Sequence, residues 1–128
     1  MKALVLAAGK STRIAVRASG LPKPLIAVNG RPILLRTLEW LVAHDISPVW
    51  INLHYKPESI RYAVKGSQYA DLDIRFSHER KLLGTAGAVK NLEAEWTEPF
   101  LLVYGDNLLG FDIADMAAYH RASGAALT

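Results

Sequence analysis

Lys2-Ala3-Leu4-Val5-Leu6-Ala7-Ala8-Gly9-Lys10-Ser11-Thr12-Arg13 is the stretch that decides the fold. Residues 2–7 form a short apolar run that reads as a buried strand. Gly9 ends it, and a polar loop follows as far as Gly30. A strand that breaks into a turn of small residues, with hydroxyls and cations just beyond, is the usual opening of a sheet that binds ligands at its strand ends.

The rest of the chain repeats this opening. Ile33, Leu34, Leu38, Leu41 and Val42 recur at helical spacing between Pro32 and His44. Residues 48–53 read as a second strand, and Pro57 with Glu58 opens a helix over 57–64. A short third strand is expected over 73–76, a short helix over 85–93, and a fourth strand over 99–104 that ends at Gly105-Asp106. A helix follows over 113–121, with Asp112 and Asp115 favouring its N-terminus. Strands and helices alternate throughout, which implies an α/β fold with a largely parallel sheet. Gly124-Ala125-Ala126-Leu127-Thr128 looks like a turn entering a fifth strand, so the chain reads as the N-terminal part of a longer domain. An ordinary short edge strand is the alternative.

Composition narrows the function classes. The 128 residues are 51% hydrophobic and 21% charged, enough for one core and unlike a disordered chain. Cysteine is absent, which removes disulfides, thiolate nucleophiles and thiolate zinc sites, and suits a cytoplasmic protein. Ala3 to Ala8 is too short for a signal segment, and no apolar run approaches a membrane span. The net charge of +3 is modest, and its basic residues are not gathered in runs. Small polyanions therefore suit it better than nucleic acid. His44, His54, His78 and His120 lack metal-ligand spacing, and Trp40, Trp50 and Trp96 read as core.

Three segments fall at the carboxyl ends of the expected strands: the loop from Ala8 to Arg13, the region 83–87, and Gly105-Asp106. Gly9-Lys10-Ser11 mimics the end of a P-loop, but Leu4 occupies the place of its first glycine. The dinucleotide fingerprint fails as well, with Ser11 and Ile14 at its second and third glycines. What remains is a small-residue turn whose amides can approach phosphate, followed by Arg13, which can grip phosphate oxygens in a fork. In Pro22-Lys23-Pro24, two prolines stiffen the segment that carries one cation. Taken singly, each segment is also compatible with an ordinary surface loop.

Together they resemble a known signature. Leu6 to Arg13, then Pro22-Lys23-Pro24-Leu25, then Gly30-Arg31-Pro32-Ile33-Leu34 follow the order found in sugar-1-phosphate nucleotidylyltransferases. Ile51-Asn52-Leu53-His54-Tyr55, Leu83-Gly84-Thr85-Ala86-Gly87-Ala88 and Tyr104-Gly105-Asp106 continue the match over essentially the whole chain. Ser11 stands where a second glycine is commoner, and residues 15–21 lack the usual Pro-Leu-Thr.

The resemblance implies a Rossmann-like, doubly wound fold of the nucleotide-diphospho-sugar transferase type. Residues 1–128 would be the N-terminal nucleotide-binding part of one domain whose remainder lies beyond this chain. The implied reaction joins a nucleoside triphosphate to a sugar 1-phosphate with release of pyrophosphate. Gly9, Lys10, Ser11 and Thr12 would cradle the triphosphate, and Arg13 and Lys23 would be the catalytic cations. Ala8, Glu79, Gly84 and Thr85 would line the base pocket, and Gly87 would allow close packing. Asp106 would hold Mg²⁺. The Leu-Gly-Thr-Ala-Gly form is most similar to guanylyltransferases for mannose or heptose 1-phosphate, which favours GTP. The Asn-Leu-His-Tyr string puts UTP next, by similarity to uridylyltransferases. A non-catalytic regulatory relative is the alternative, against which Arg13, Lys23 and Asp106 all stand. No nucleic-acid or membrane partner is expected, and homo-oligomerisation is left open.

Overall fold

A computed structural model describes residues 1–9 and 20–128, and its centre is a strand of only four residues. This strand, β1 (Ala3–Leu6), is hydrogen-bonded on both sides. The strands that follow are β2 (Ala27–Val28), β3 (Arg31–Pro32), β4 (Val49–Leu53), β5 (Ile74–His78) and β6 (Leu101–Tyr104). The helices are α1 (Ile33–Ala43), α2 (Pro57–Lys65), α3 (Gly84–Asn91) and α4 (Ile113–Ser123). The main sheet has the order β5-β4-β1-β6, and every pairing in it is parallel. The chain steps outward from β1 through β4 to β5, then returns past β1 to place β6. The winding direction therefore reverses between β1 and β6, where an open α/β sheet leaves a crevice beyond its strand ends.

Alternation along the strands sorts the two faces. Ala3 and Val5 share a face with Val49, Ile51, Leu53, Leu101 and Val103. These residues form the main core with Leu34, Leu38 and Leu41 of α1 and Ile60 and Val64 of α2. Asn52 and Ser77 lie on the opposite face, where Asn91 of α3 donates from Nδ2 to Ser77 Oγ at 3.1 Å. Just after α3, Trp96 stacks on Phe100 with centroids 4.1 Å apart and donates its indole N–H to Val89 O. Helices thus cover both faces, as the doubly wound reading expects.

The polar loop expected up to Gly30 contains more order than its composition suggests. Lys23–Leu25 forms a single 3₁₀ turn, and β2 and β3 make a hairpin through Asn29-Gly30. Both turn residues have positive φ, 53° and 74°, which is the two-residue turn that Asn-Gly favours. Arg31 then ties the hairpin down, donating to Glu39 at 2.7 Å and to the Tyr69 hydroxyl at 2.6 Å. The bond to Glu39, assisted by Tyr69, raises the Arg31 pKa above its ordinary value.

The expected fifth strand does not form. Gly124 adopts φ 63° and closes α4 as a left-handed cap. His120 Nδ1 and Thr128 Oγ1 lie 2.7 Å apart, which folds the tail back along α4 rather than beside the sheet. At the other end of that helix the expectation for Asp112 holds: its carboxylate accepts from Ala114 N at 2.7 Å and Asp115 N at 3.1 Å. Among the described residues no helix is long and apolar enough to cross a membrane. Removing the Asp112 cap with Asp112→Ala is expected to lower stability by about 1 kcal/mol. The shift in urea midpoint, at unchanged slope, measures it.

Candidate functional site

The site is assembled where β1, β4, β5 and β6 end together. Beyond Leu6 the chain turns through Ala7, Ala8 and Gly9, of which the two alanines are buried and Gly9 is exposed. Among the described residues, nothing lies within 4 Å of a Cβ placed on Gly9. Lys10, Ser11, Thr12 and Arg13 lie outside the described residues.

Opposite this turn, β6 ends at Gly105, whose N–H continues the ladder by donating to Leu6 O at 3.0 Å. A Cβ on residue 105 would sit 3.0 Å from Leu6 O and 3.1 Å from Val5 Cγ1. Glycine is therefore what lets β6 close against β1, and this closure carries Asp106 to the mouth of the crevice. Lys23 arrives from the far side. Its turn is held by Leu25 N–H to Pro22 O at 2.9 Å and Ile26 N–H to Lys23 O at 3.0 Å, with Pro22, Pro24 and Leu25 buried. Lys23 Nζ lies 3.4 Å from Asp106 Oδ2. Two residues 83 positions apart thus meet at the switch point, each still about a third open to solvent.

The third wall is the entry to α3. Gly84 has φ +72°, a conformation that side chains with a Cβ rarely adopt, and it swings the chain from the exposed Leu83 into the helix. Thr85 is exposed, and its Oγ1 lies 3.3 Å from the Tyr104 hydroxyl at the end of β6. Gly87 packs closely, since a Cβ there would fall 2.8 Å from Leu83 Cβ. Among the described residues nothing lies within 4 Å of a Cβ placed on Gly84, whereas Gly87 faces its own helix entry.

Glu79, expected to line the base pocket, instead points inward and is 3% exposed, as buried as Ala8. Its Oε1 accepts from Asn52 Nδ2 at 2.8 Å, and its Oε2 accepts from Leu83 N at 3.0 Å. Its own N–H donates to Leu53 O, and its carbonyl accepts from His54 Nδ1 at 2.8 Å. A carbonyl can only accept, so His54 carries a proton on Nδ1. Asn52, given no role by the sequence reading, is buried, and its Oδ1 accepts from Ala7 N at 2.6 Å. A polar residue inside the otherwise apolar run Val49-Trp50-Ile51-Asn52-Leu53 was the available signal.

The donor set suits one class of metal. Among the described residues no three His, Asp or Glu side chains gather into a cluster. Asp106 stands at the mouth beside Lys23. Mg²⁺ is commonly held by one or two carboxylates together with substrate phosphates rather than by a protein cage, so the Asp106 carboxylate fits it.

Comparison with known proteins bears on this arrangement. A family model described as nucleotidyl transferase matches residues 2–128. The chain is 34% identical to the mannose-1-phosphate guanyltransferase of Schizosaccharomyces pombe, over 98% of its own length and 36% of that protein's. It is 35% identical to mannose-1-phosphate guanyltransferase beta-B of Xenopus laevis, over 97% of its own length and again 36% of the relative's. Among solved structures, HddC of Yersinia pseudotuberculosis complexed with GMP-PN superposes with a TM-score of 0.82 at 27% identity, covering 93% of this chain and 53% of that one. The chain therefore spans about a third of the length of the curated relatives it matches.

Gly105→Ala is expected to cost about 1–3 kcal/mol of stability, because the added methyl meets backbone that cannot retreat. Thermal denaturation of the variant checks this, and unchanged stability would remove the close β1–β6 approach from the account.

Proposed function

The chain belongs to the nucleotidyl transferase family, and on that premise we propose that the protein joins a nucleoside triphosphate to a sugar 1-phosphate and releases pyrophosphate. GTP is the favoured donor and UTP the next. The observation that carries this reading is the Lys23–Asp106 pair at the β1/β6 switch point, beside the turn at Ala7-Ala8-Gly9. The names of the guanyltransferase relatives support the choice of GTP, as does the structural likeness to HddC complexed with GMP-PN.

In this reading an oxygen of the sugar phosphate forms a bond to the α-phosphorus of the triphosphate, and the bond from that phosphorus to the bridging oxygen of pyrophosphate breaks. The attacking phosphate has a second pKa of about 6 and is already ionised at neutral pH. No general base or covalent enzyme intermediate is required, and the protein's task is alignment and charge neutralisation. Gly9, with Lys10, Ser11 and Thr12, would cradle the triphosphate, and Ala8 would line the base pocket. Arg13 would grip outer phosphate oxygens. Lys23, set on a turn between buried prolines, would bring its ammonium to the reacting phosphates with little freedom left to lose. Asp106 would hold Mg²⁺, which when bound would neutralise phosphate charge. Gly84 and Thr85, exposed at the entry to α3, would border the base. A cytoplasmic setting belongs to the same reading.

The Lys23–Asp106 pair is partly solvated and is worth under about 1 kcal/mol to the fold. Lys23→Ala and Asp106→Ala should therefore stay folded while losing Mg²⁺-dependent stabilisation by GTP. Ligand at one hundred times its dissociation constant contributes about 2.7 kcal/mol, so the loss is visible in a thermal shift. Arg13→Ala is expected to behave likewise. Undiminished shifts in all three variants would refute this placement of the triphosphate.

A further inference from the structure

Glu79 is a buried carboxylate whose two oxygens are both engaged within the protein. We propose that Asn52 and Glu79 are positioning residues, a buried relay that locks the turn after β1 to the entry of α3. Resting on the nucleotide-binding reading above, this adds to it a reason why two walls of the site keep a fixed spacing.

The polarity of the relay follows from the chemistry of its ends. The Ala7 N–H can only donate, so the Asn52 atom facing it at 2.6 Å is the amide oxygen. The Glu79 carboxylate accepts, so the Asn52 atom facing it at 2.8 Å is the amide nitrogen. Leu83 N–H donates to the other carboxylate oxygen at 3.0 Å. Ala7 and Leu83 are far apart in the chain, yet only two side chains separate their amides. Asn52 stands in register with Leu6, the last residue of β1, so its side chain meets the first amide beyond the ladder. Glu79 follows β5 directly and donates its own N–H to Leu53 O, which fixes its backbone to the end of β4. The relay is thus attached at both of its members to strands of the sheet, and it joins residues 7–9 to Leu83-Gly84 through hydrogen bonds alone.

A polarity this definite can be reversed. In Glu79→Gln the new amide brings N–H groups against Asn52 Nδ2 or Leu83 N, so one donor loses its acceptor. In Asn52→Asp two carboxylates face each other. Combining N52D with E79Q restores every bond. The new carboxylate at position 52 then accepts from Ala7 N–H and from the new amide at position 79, whose oxygen accepts from Leu83 N–H. Side-chain size and formal charge are conserved in the double variant.

The test measures amide hydrogen exchange at Ala7 and Leu83 without ligand, and the dissociation constant for GTP with Mg²⁺, in the full chain carrying each change. Glu79→Gln is expected to speed exchange at one or both amides and to weaken GTP about tenfold, in keeping with the loss of a charge-assisted bond. The double variant is expected to recover both within about threefold of the unaltered protein, a margin well inside that tenfold loss. Should N52D fail to fold alone, E79Q against the double variant still decides the matter. Restored exchange without restored GTP binding would overturn the proposal, since the carboxylate at 79 would then be required in its own right at the ligand. Single variants that leave both readouts unchanged would overturn it too. If the unaltered protein binds no nucleotide, the proposed function fails, while the exchange measurements still settle whether the relay holds the two loops.

Discussion

β1 is four residues long and is bonded to a neighbour on each side, and the site depends on how that strand ends. Leu6 is in register with Asn52 on one flank and Tyr104 on the other. The next amide, on Ala7, has run out of strand to pair with, and burial leaves it no water. An unpaired buried amide would cost about 1–3 kcal/mol. Asn52 meets it on one flank, and on the other the Leu6 carbonyl is met by Gly105. Satisfying the end of this one strand therefore selects an amide side chain at 52 and the smallest residue at 105, and those selections set the distance between the walls of the crevice.

Both faces of the sheet bury apolar side chains, Leu4 among them on the α3 side, but buried polar side chains gather on one. The face toward α1 and α2 is almost wholly aliphatic, with Leu34, Leu38, Leu41, Ile51, Leu53 and Ile60 fully buried, and it supplies the cohesion. The face toward α3 carries Asn52 and Ser77, bonded to Glu79 and to Asn91 of α3, and it supplies direction. Hydrogen bonds specify geometry in a way that non-directional burial cannot. A site that must align a charged ligand gains from having the directional face beneath it. The Lys23–Asp106 pair sits above both layers and is about a third open to solvent.

The alternation of strands and helices was legible because buried strands and amphipathic helices leave different periodicities. The parallel sheet and α1, α2, α3 and α4 follow from it with shifts of a residue or two at their ends. The hairpin at Asn29-Gly30 was read as part of a polar loop, because its flanking strands hold two residues each, too few to register as strands. The tail after Gly124 misled for the opposite reason. Glycine followed by small apolar residues opens a strand or closes a helix equally well, and the His120–Thr128 contact selects the second. Asp106 and the region 83–87 were visible as candidates because they follow strands, and Lys23 because two prolines flank it, while the base-pocket role of Gly84 and Thr85 came from the family resemblance alone.

By itself the sequence determined the class of fold, the family, and which loops would meet at the carboxyl edge, since all of these follow from local periodicity and from motifs in order. Tertiary structure decided the strand order β5-β4-β1-β6 and the meeting of Lys23 with Asp106 at 3.4 Å. It also turned Glu79 inward toward Asn52 and Leu83. The reason is physical: the direction in which a carboxylate turns depends on which unpaired donors surround it, and Asn52 Nδ2 and Leu83 N come near Glu79 only after β4, β5 and α3 have packed.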